Sequence, residues 1–92
     1  MNQKAIEDKA SAEPPFTPTQ GQYLAFIWAY TCINRRPPAE KDFQRHFEVT
    51  PPSVHQMILT LERRGLIRRR PGAARSIELR IAPDQLPVLR PL

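Results

Sequence analysis

Apolar positions recur at two different spacings along this chain, and the change of spacing divides it. At about 100° per residue, Tyr23, Leu24, Ile27, Tyr30 and Thr31 share one stripe, while Phe26, Ala29 and Ile33 form a second. The pattern predicts a helix from Pro18 to about Ile33 that is apolar on more than one side. Its start is marked by Thr17, a capping residue, followed by Pro18 in the first turn and Gln20 three positions after the cap. Phe16 stands where a hydrophobic staple would, but Gly21 offers it little surface, so its partner is expected elsewhere in the core. Asn34-Arg35-Arg36-Pro37-Pro38 ends the helix, because proline removes an amide donor and biases the residue before it away from helical geometry.

A short second helix is predicted over Ala39 to Phe47, with Phe43 and Phe47 one turn apart between polar neighbours. Glu48-Val49 is the turn after it. Thr50-Pro51 repeats the cap-then-proline signal, and Val54, Met57, Ile58 and Leu61 keep helical spacing up to Gly65, which predicts a third helix from about Pro51 to Arg64. Beyond Gly65 the period drops to two. Leu66 to Arg70 and Ser76 to Ile81 read as strands around the turn Pro71 to Arg75, with Ile77, Leu79 and Ile81 facing inward and Glu78 and Arg80 outward. Three helices followed by a two-stranded hairpin, with only the short Glu48-Val49 turn and the Thr50 cap between helices two and three, describe a mainly α fold with a small β hairpin: a winged helix-turn-helix.

Composition narrows the setting. Ninety-two residues suffice for one small domain, expected over residues 16–81, between a flexible arm at 1–15 and a Pro-rich tail at 82–92 whose Leu86, Val88 and Leu89 pack against it. Met1 to Pro15 has no apolar core of a secretory signal, and the longest apolar run, Tyr23 to Tyr30, is far short of the roughly 20 residues a membrane span needs. One cysteine leaves no disulfide framework. A reduced, cytoplasmic and nucleoid-associated setting is therefore expected, with no membrane partner.

Charge points to a polyanion. Fourteen Lys and Arg against nine Asp and Glu leave a net +5, and the segment 63–80 alone holds seven arginines against Glu78. A basic run of this kind matches phosphates, whose neutralisation releases condensed counterions. On a winged helix it predicts double-stranded DNA as partner, with helix three in the major groove and the wing on phosphate or minor groove. By side-chain chemistry, Gln56 can bond adenine through two bonds, Ser53 suits either base type, and His55 donates or accepts according to its tautomer. Thr60 and Arg63 continue the outward face toward phosphate, and Arg70 and Arg75 flank the wing tip at Gly72.

The segments Phe16 to Gln20 and Arg36 to Phe43 resemble the opening of the LexA repressor DNA-binding domain. Thr50-Pro51, Leu61 to Ile67 and Gly72 to Leu79 are similar to that family's recognition helix, helix stop and wing, so that the resemblance covers about Phe16 to Ile81. It implies a repressor-like transcriptional regulator, with base-contacting positions at Thr50, Pro52, Ser53, His55 and Gln56. Pro52 stands where the family has a base-reading asparagine, so the resemblance does not carry the family's operator over to this chain. The chain reaches Leu92 without the family's self-cleaving domain, which predicts a solitary DNA-binding half with no enzymatic activity.

Other constellations point to less. His46, His55 and Cys32 have no metal-ligand spacing, and neither metal nor cofactor is expected. His46 reads as a satisfied boundary histidine and Cys32 as a small packing residue. Ser53 and His55 project about 200° apart on a helix and cannot act as nucleophile and base together. The stripe of Phe26, Ala29 and Ile33 has two readings: cover by the arm or tail, or a homodimer surface pairing two recognition helices on a palindromic site. The alternative function is a winged-helix protein-interaction module anchored on that outer face of helix one through Phe26, Trp28 and Ile33.

Overall fold

A computed structural model describes residues 15–91. The expected N-terminal arm lies outside the described residues except for Pro15. The chain forms α1 (Pro18–Asn34), α2 (Glu40–Phe47), α3 (Pro51–Arg63), β1 (Ile67–Arg68) and β2 (Glu78–Leu79), and ends in a 3-10 turn at Pro83–Gln85 followed by extended chain. β1 and β2 pair antiparallel, with Ile67 opposite Leu79 and Arg68 opposite Glu78. This is the winged helix-turn-helix that the order of elements predicts. No helix among the described residues is long and apolar enough to cross a membrane.

The helix starts follow from local chemistry. Thr17 accepts from the Gln20 amide at 3.1 Å while the Gln20 side chain accepts from the Thr17 amide at 3.0 Å, a reciprocal cap that satisfies two otherwise orphan donors. α2 begins differently. Its cap position is Ala39, which has no side-chain acceptor, and the Asp42 carboxylate reaches back to the Ala39 amide at 2.8 Å instead. α1 ends where Arg35 takes a left-handed conformation, φ 61°, one residue before the Arg-Pro-Pro run.

The core lies where α1, α2, α3 and the wing meet, and Leu24, Ile27, Phe43, Val54, Ile58, Leu61 and Ile67 are almost fully buried there. Between α1 and α2 the contact is aromatic. Tyr23 stacks on Phe47 with centroids 4.4 Å apart, and Phe26 packs edge-on against Phe43 at 5.0 Å and stacks on His46 at 4.6 Å. Such ring pairs add about 0.5 to 1.5 kcal/mol each beyond the area they bury.

Three expectations for α1 and α2 are corrected. Phe26 is buried, because α2 supplies the rings that cover it, so the outer stripe loses its largest member. Trp28 and Ile33 are exposed, and Ala29 is half-buried. Cys32 is exposed instead of packed. His46 is not satisfied: its ring lies flat on Phe26 as an aromatic would, and its buried Nε2 has no hydrogen-bond partner among the described residues.

Phe16 packs against the core, as expected, but the expectation that Gly21 gives it little is corrected. Its ring rests on Gly21 itself, where an added Cβ would lie 2.9 Å from the ring and 3.0 Å from Pro87. The missing side chain makes a seat for both. Next to it, the buried Gln22 side chain donates to the Val88 carbonyl at 2.9 Å and accepts from the Arg90 amide at 2.8 Å. Leu86 and Leu89 pack on the core while Val88 points outward.

The ladder of the wing is shorter than the alternation predicts, two residues per strand. Arg75, the last residue of the expected turn, takes a left-handed conformation at φ 54°, and pairing begins only at Glu78. The loop is closed instead by Ser76, whose hydroxyl accepts from the Arg70 amide at 2.9 Å and lies within donating distance of the Arg70 and Ala73 carbonyls. At the tip, Pro71-Gly72 forms a turn in which the Ala73 amide bonds the Arg70 carbonyl at 3.1 Å, and Gly72 supplies the positive φ of 75° that its third position requires.

The left-handed Arg75 sends its guanidinium inward. It donates to Asp42 Oδ2 at 3.0 Å, to the Tyr30 hydroxyl at 3.0 Å and to the Pro37 carbonyl at 3.2 Å, which ties the wing to both α1 and α2. Burial pushes the Asp42 carboxyl up, but the Ala39 amide, the Arg75 guanidinium and the Tyr30 hydroxyl outweigh it and hold its pKa below the ordinary 3.8. Because the folded pKa is the lower one, this stabilisation is complete above the unfolded value and is lost as pH falls through the folded value. In an acid titration followed by circular dichroism, Asp42→Asn is expected to lose stability less steeply than wild type below about pH 4. At neutral pH, Arg75→Met is expected to lower the Tm measured by circular dichroism, since Asp42 stays buried without its cation.

Candidate nucleic-acid interface

α3 buries Val54, Ile58 and Leu61, so its opposite face is set by the helical period. Pro52, Gln56, Leu59 and Arg63 form the crest of that face; Pro52, Gln56 and Arg63 are exposed and Leu59 is half-buried. On one flank, Ser53, Gln56 and Thr60 share a shallow groove with Thr19, Gln20 and Tyr23 of α1. On the other, Glu62 shares a cleft with Arg69 to Ala74 of the wing turn. The crest therefore runs between the start of α1 and the wing.

Several of the hydroxyls on this face are already engaged. Thr50 Oγ1 accepts from the Ser53 amide at 3.3 Å and donates to Ser53 Oγ at 3.0 Å, so Thr50 acts as the cap of α3 and leaves the Ser53 hydroxyl proton available to an outside acceptor. Thr60 donates to the Gln56 carbonyl at 2.9 Å and lies 3.4 Å from the Arg63 guanidinium. Gln56 has an exposed side chain on the crest. His55, on the wing side, sets Nδ1 3.3 Å from Glu40 Oε2.

Seen in three dimensions, the arginine-rich segment is less positive than its sequence. Arg68 pairs with Glu78 across the hairpin at 2.8 Å, which holds the Glu78 carboxyl below its usual pKa. Arg69 lies between Glu62 at 3.1 Å and Glu40 at 3.6 Å, and Arg75 is held by Asp42. Three carboxylates from α2 and α3 thus join the segment, and its local excess falls from six to three. Among the described residues, Arg63, Arg64, Arg70 and Arg80 have no carboxylate partner. All four are exposed, and Arg64 donates to the Pro15 carbonyl at 3.1 Å.

Of the residues singled out in the sequence, Thr50, Pro52, Ser53, His55, Gln56, Thr60 and Arg63 lie together along α3, and Arg70 and Gly72 lie in the exposed wing turn. Arg75 does not join them, because its guanidinium is turned into the domain. Three residues of the surface escape the sequence reading. Leu59 looks like core but lies three positions after Gln56 and four before Arg63, a spacing that places it on the crest. Glu40 and Glu62 are ordinary surface acids until the fold brings Arg69 between them. Among the described residues, no three His, Cys, Asp or Glu side chains come together to hold a metal ion.

The family model described as the LexA DNA binding domain matches residues 13–76. The chain belongs to the LexA DNA-binding domain family. It is 36% identical over 72 residues to the LexA repressor of Thermosipho africanus, covering 78% of this chain and 36% of that protein. Against the LexA repressor of Thermosipho melanesiensis it is 38% identical over 63 residues, 68% of this chain and 32% of the relative, and against that of Geobacter metallireducens 36% over 64 residues. The chain spans about a third of the length of these relatives. The match to the LexA domain includes all three helices and the wing turn up to Ser76.

The turn that sets α3 against α2 carries strain. Glu48 sits at φ 54° and ψ 49°, a left-handed conformation that costs a residue with a Cβ about 1 to 2 kcal/mol. Glycine relieves it at a loss of about 0.5 to 1 kcal/mol in unfolded-chain entropy. Glu48→Gly is therefore expected to raise stability by about 0.5 to 1 kcal/mol, read as a rise in Tm of several degrees.

Proposed function

We propose that this chain is a sequence-specific double-stranded DNA-binding protein and acts as a transcriptional repressor, with α3 in the major groove and the wing on the flanking phosphates. The observation that carries the proposal is the exposed crest of α3, polar at Gln56 and Arg63, set between the start of α1 and a basic turn. The relatives named as LexA repressors support the same reading.

Gln56 offers an acceptor and a donor to the N6 and N7 edge of adenine, and the Ser53 proton is directed to a base acceptor or a phosphate. Pro52 and Leu59 present apolar surface suited to a thymine methyl. Arg63 and Arg70 serve phosphates, and Gly72 lets the wing backbone come close to the sugar-phosphate chain. Arg75 acts from within the domain, holding the wing in place. Repression follows from occupancy: a bound domain excludes polymerase from an overlapping promoter.

Titration of a labelled duplex at several salt concentrations tests the electrostatic half. With about four phosphate contacts, log K against log salt is expected to fall with a slope of about −3.6, and Arg63→Met or Arg70→Met each to flatten it by about 0.9. Selection of bound duplexes from a random pool tests the readout. Gln56→Ala is expected to abolish preference at one base pair, a loss of about 1 to 3 kcal/mol there. A flat salt slope, or an unchanged selected motif, would overturn the proposal.

A further inference from the structure

Glu40 opens α2, yet its carboxylate serves the other two parts of the surface. Its Oε2 lies 3.3 Å from His55 Nδ1 on α3 and 3.6 Å from the Arg69 guanidinium in the wing. Arg69 is in turn held by Glu62 through Nε at 3.1 Å, so the cation facing Glu40 is fixed from α3 as well. One carboxylate therefore joins three elements, and His55 is the member of the group that faces outward, with 51% of its side chain exposed.

The chemistry at His55 follows from its partner. A carboxylate only accepts hydrogen bonds, so the ring nitrogen beside it carries the proton. In the neutral imidazole the lone pair is then on Nε2, on the far side of the ring from Glu40. Resting on the DNA-binding function proposed above, we propose that Glu40 is a positioning residue for base readout: it fixes the His55 tautomer so that Nε2 is an obligate acceptor. An acceptor at that point selects a base with an exocyclic amine in the major groove, adenine through N6 or cytosine through N4. It disfavours guanine and thymine, which present O6 and O4.

The experiment is selection of bound duplexes by the full chain from a random pool at about pH 8. Wild type, Glu40→Gln, Glu40→Ala, His55→Ala and the double variant Glu40→Gln/His55→Ala are compared, with the fold of each checked by circular dichroism. Glutamine keeps the size of the side chain but presents either an oxygen or an amide, so it no longer dictates the tautomer.

Wild type is expected to enrich adenine or cytosine at one position by about fivefold or more. Glu40→Gln and Glu40→Ala lose that preference there alone, His55→Ala loses it at the same position, and the double variant is no worse than His55→Ala. A wild-type motif that Glu40→Gln retains overturns this inference alone. So does guanine or thymine preferred at the position His55→Ala relaxes, or a loss spread evenly over the motif. A wild-type chain that enriches no sequence overturns the proposed function and this inference with it.

Discussion

A ladder of two residues per strand is too short to hold a hairpin at a fixed angle, so the wing depends on what its side chains grip. Arg75 is the principal grip. It reaches Asp42, Tyr30 and the Pro37 carbonyl at once, and the same Asp42 carboxylate caps the start of α2. One buried acid thus sets where α2 begins and where the wing lies, with Ser76 closing the loop from inside. The arrangement concentrates stability in a few directed bonds, any of which is costly to break because its partner stays buried.

The same economy of charge shapes the outer surface. Arginines that face α2 and α3 are matched by Glu40, Glu62 and Asp42, and those without carboxylate partners among the described residues lie exposed. Pairing within the domain orients the wing and leaves a smaller, better-placed positive area than the sequence suggests. For recognition, placement matters more than total charge, since phosphate contacts fix register and base edges supply selectivity.

The three helices and the wing turn are legible in the sequence because their signals are local: Thr17 and Thr50 before prolines, Gly65 after the last helical turn, and Pro71-Gly72 at the tip. The polar face of α3 is legible for the same reason, by helical spacing. What the sequence conceals is pairing across distance. Phe26 looks like surface because the rings of α2 that cover it are seventeen or more positions away. Arg75 looks like a phosphate ligand because nothing local announces Asp42 as its partner. Gly21 looks like a poor partner for Phe16 because a glycine contributes a seat by lacking a side chain, which no hydrophobic pattern records.

That glycine seat also joins the two ends of the domain. Phe16 comes from the segment entering α1 and Pro87 from the segment leaving the wing, and both rest on Gly21, with Gln22 clasping the chain just beyond. Entry and exit strands therefore share one anchorage on a single turn of helix. A side chain added at position 21 would therefore unseat both the incoming and the outgoing segment at once.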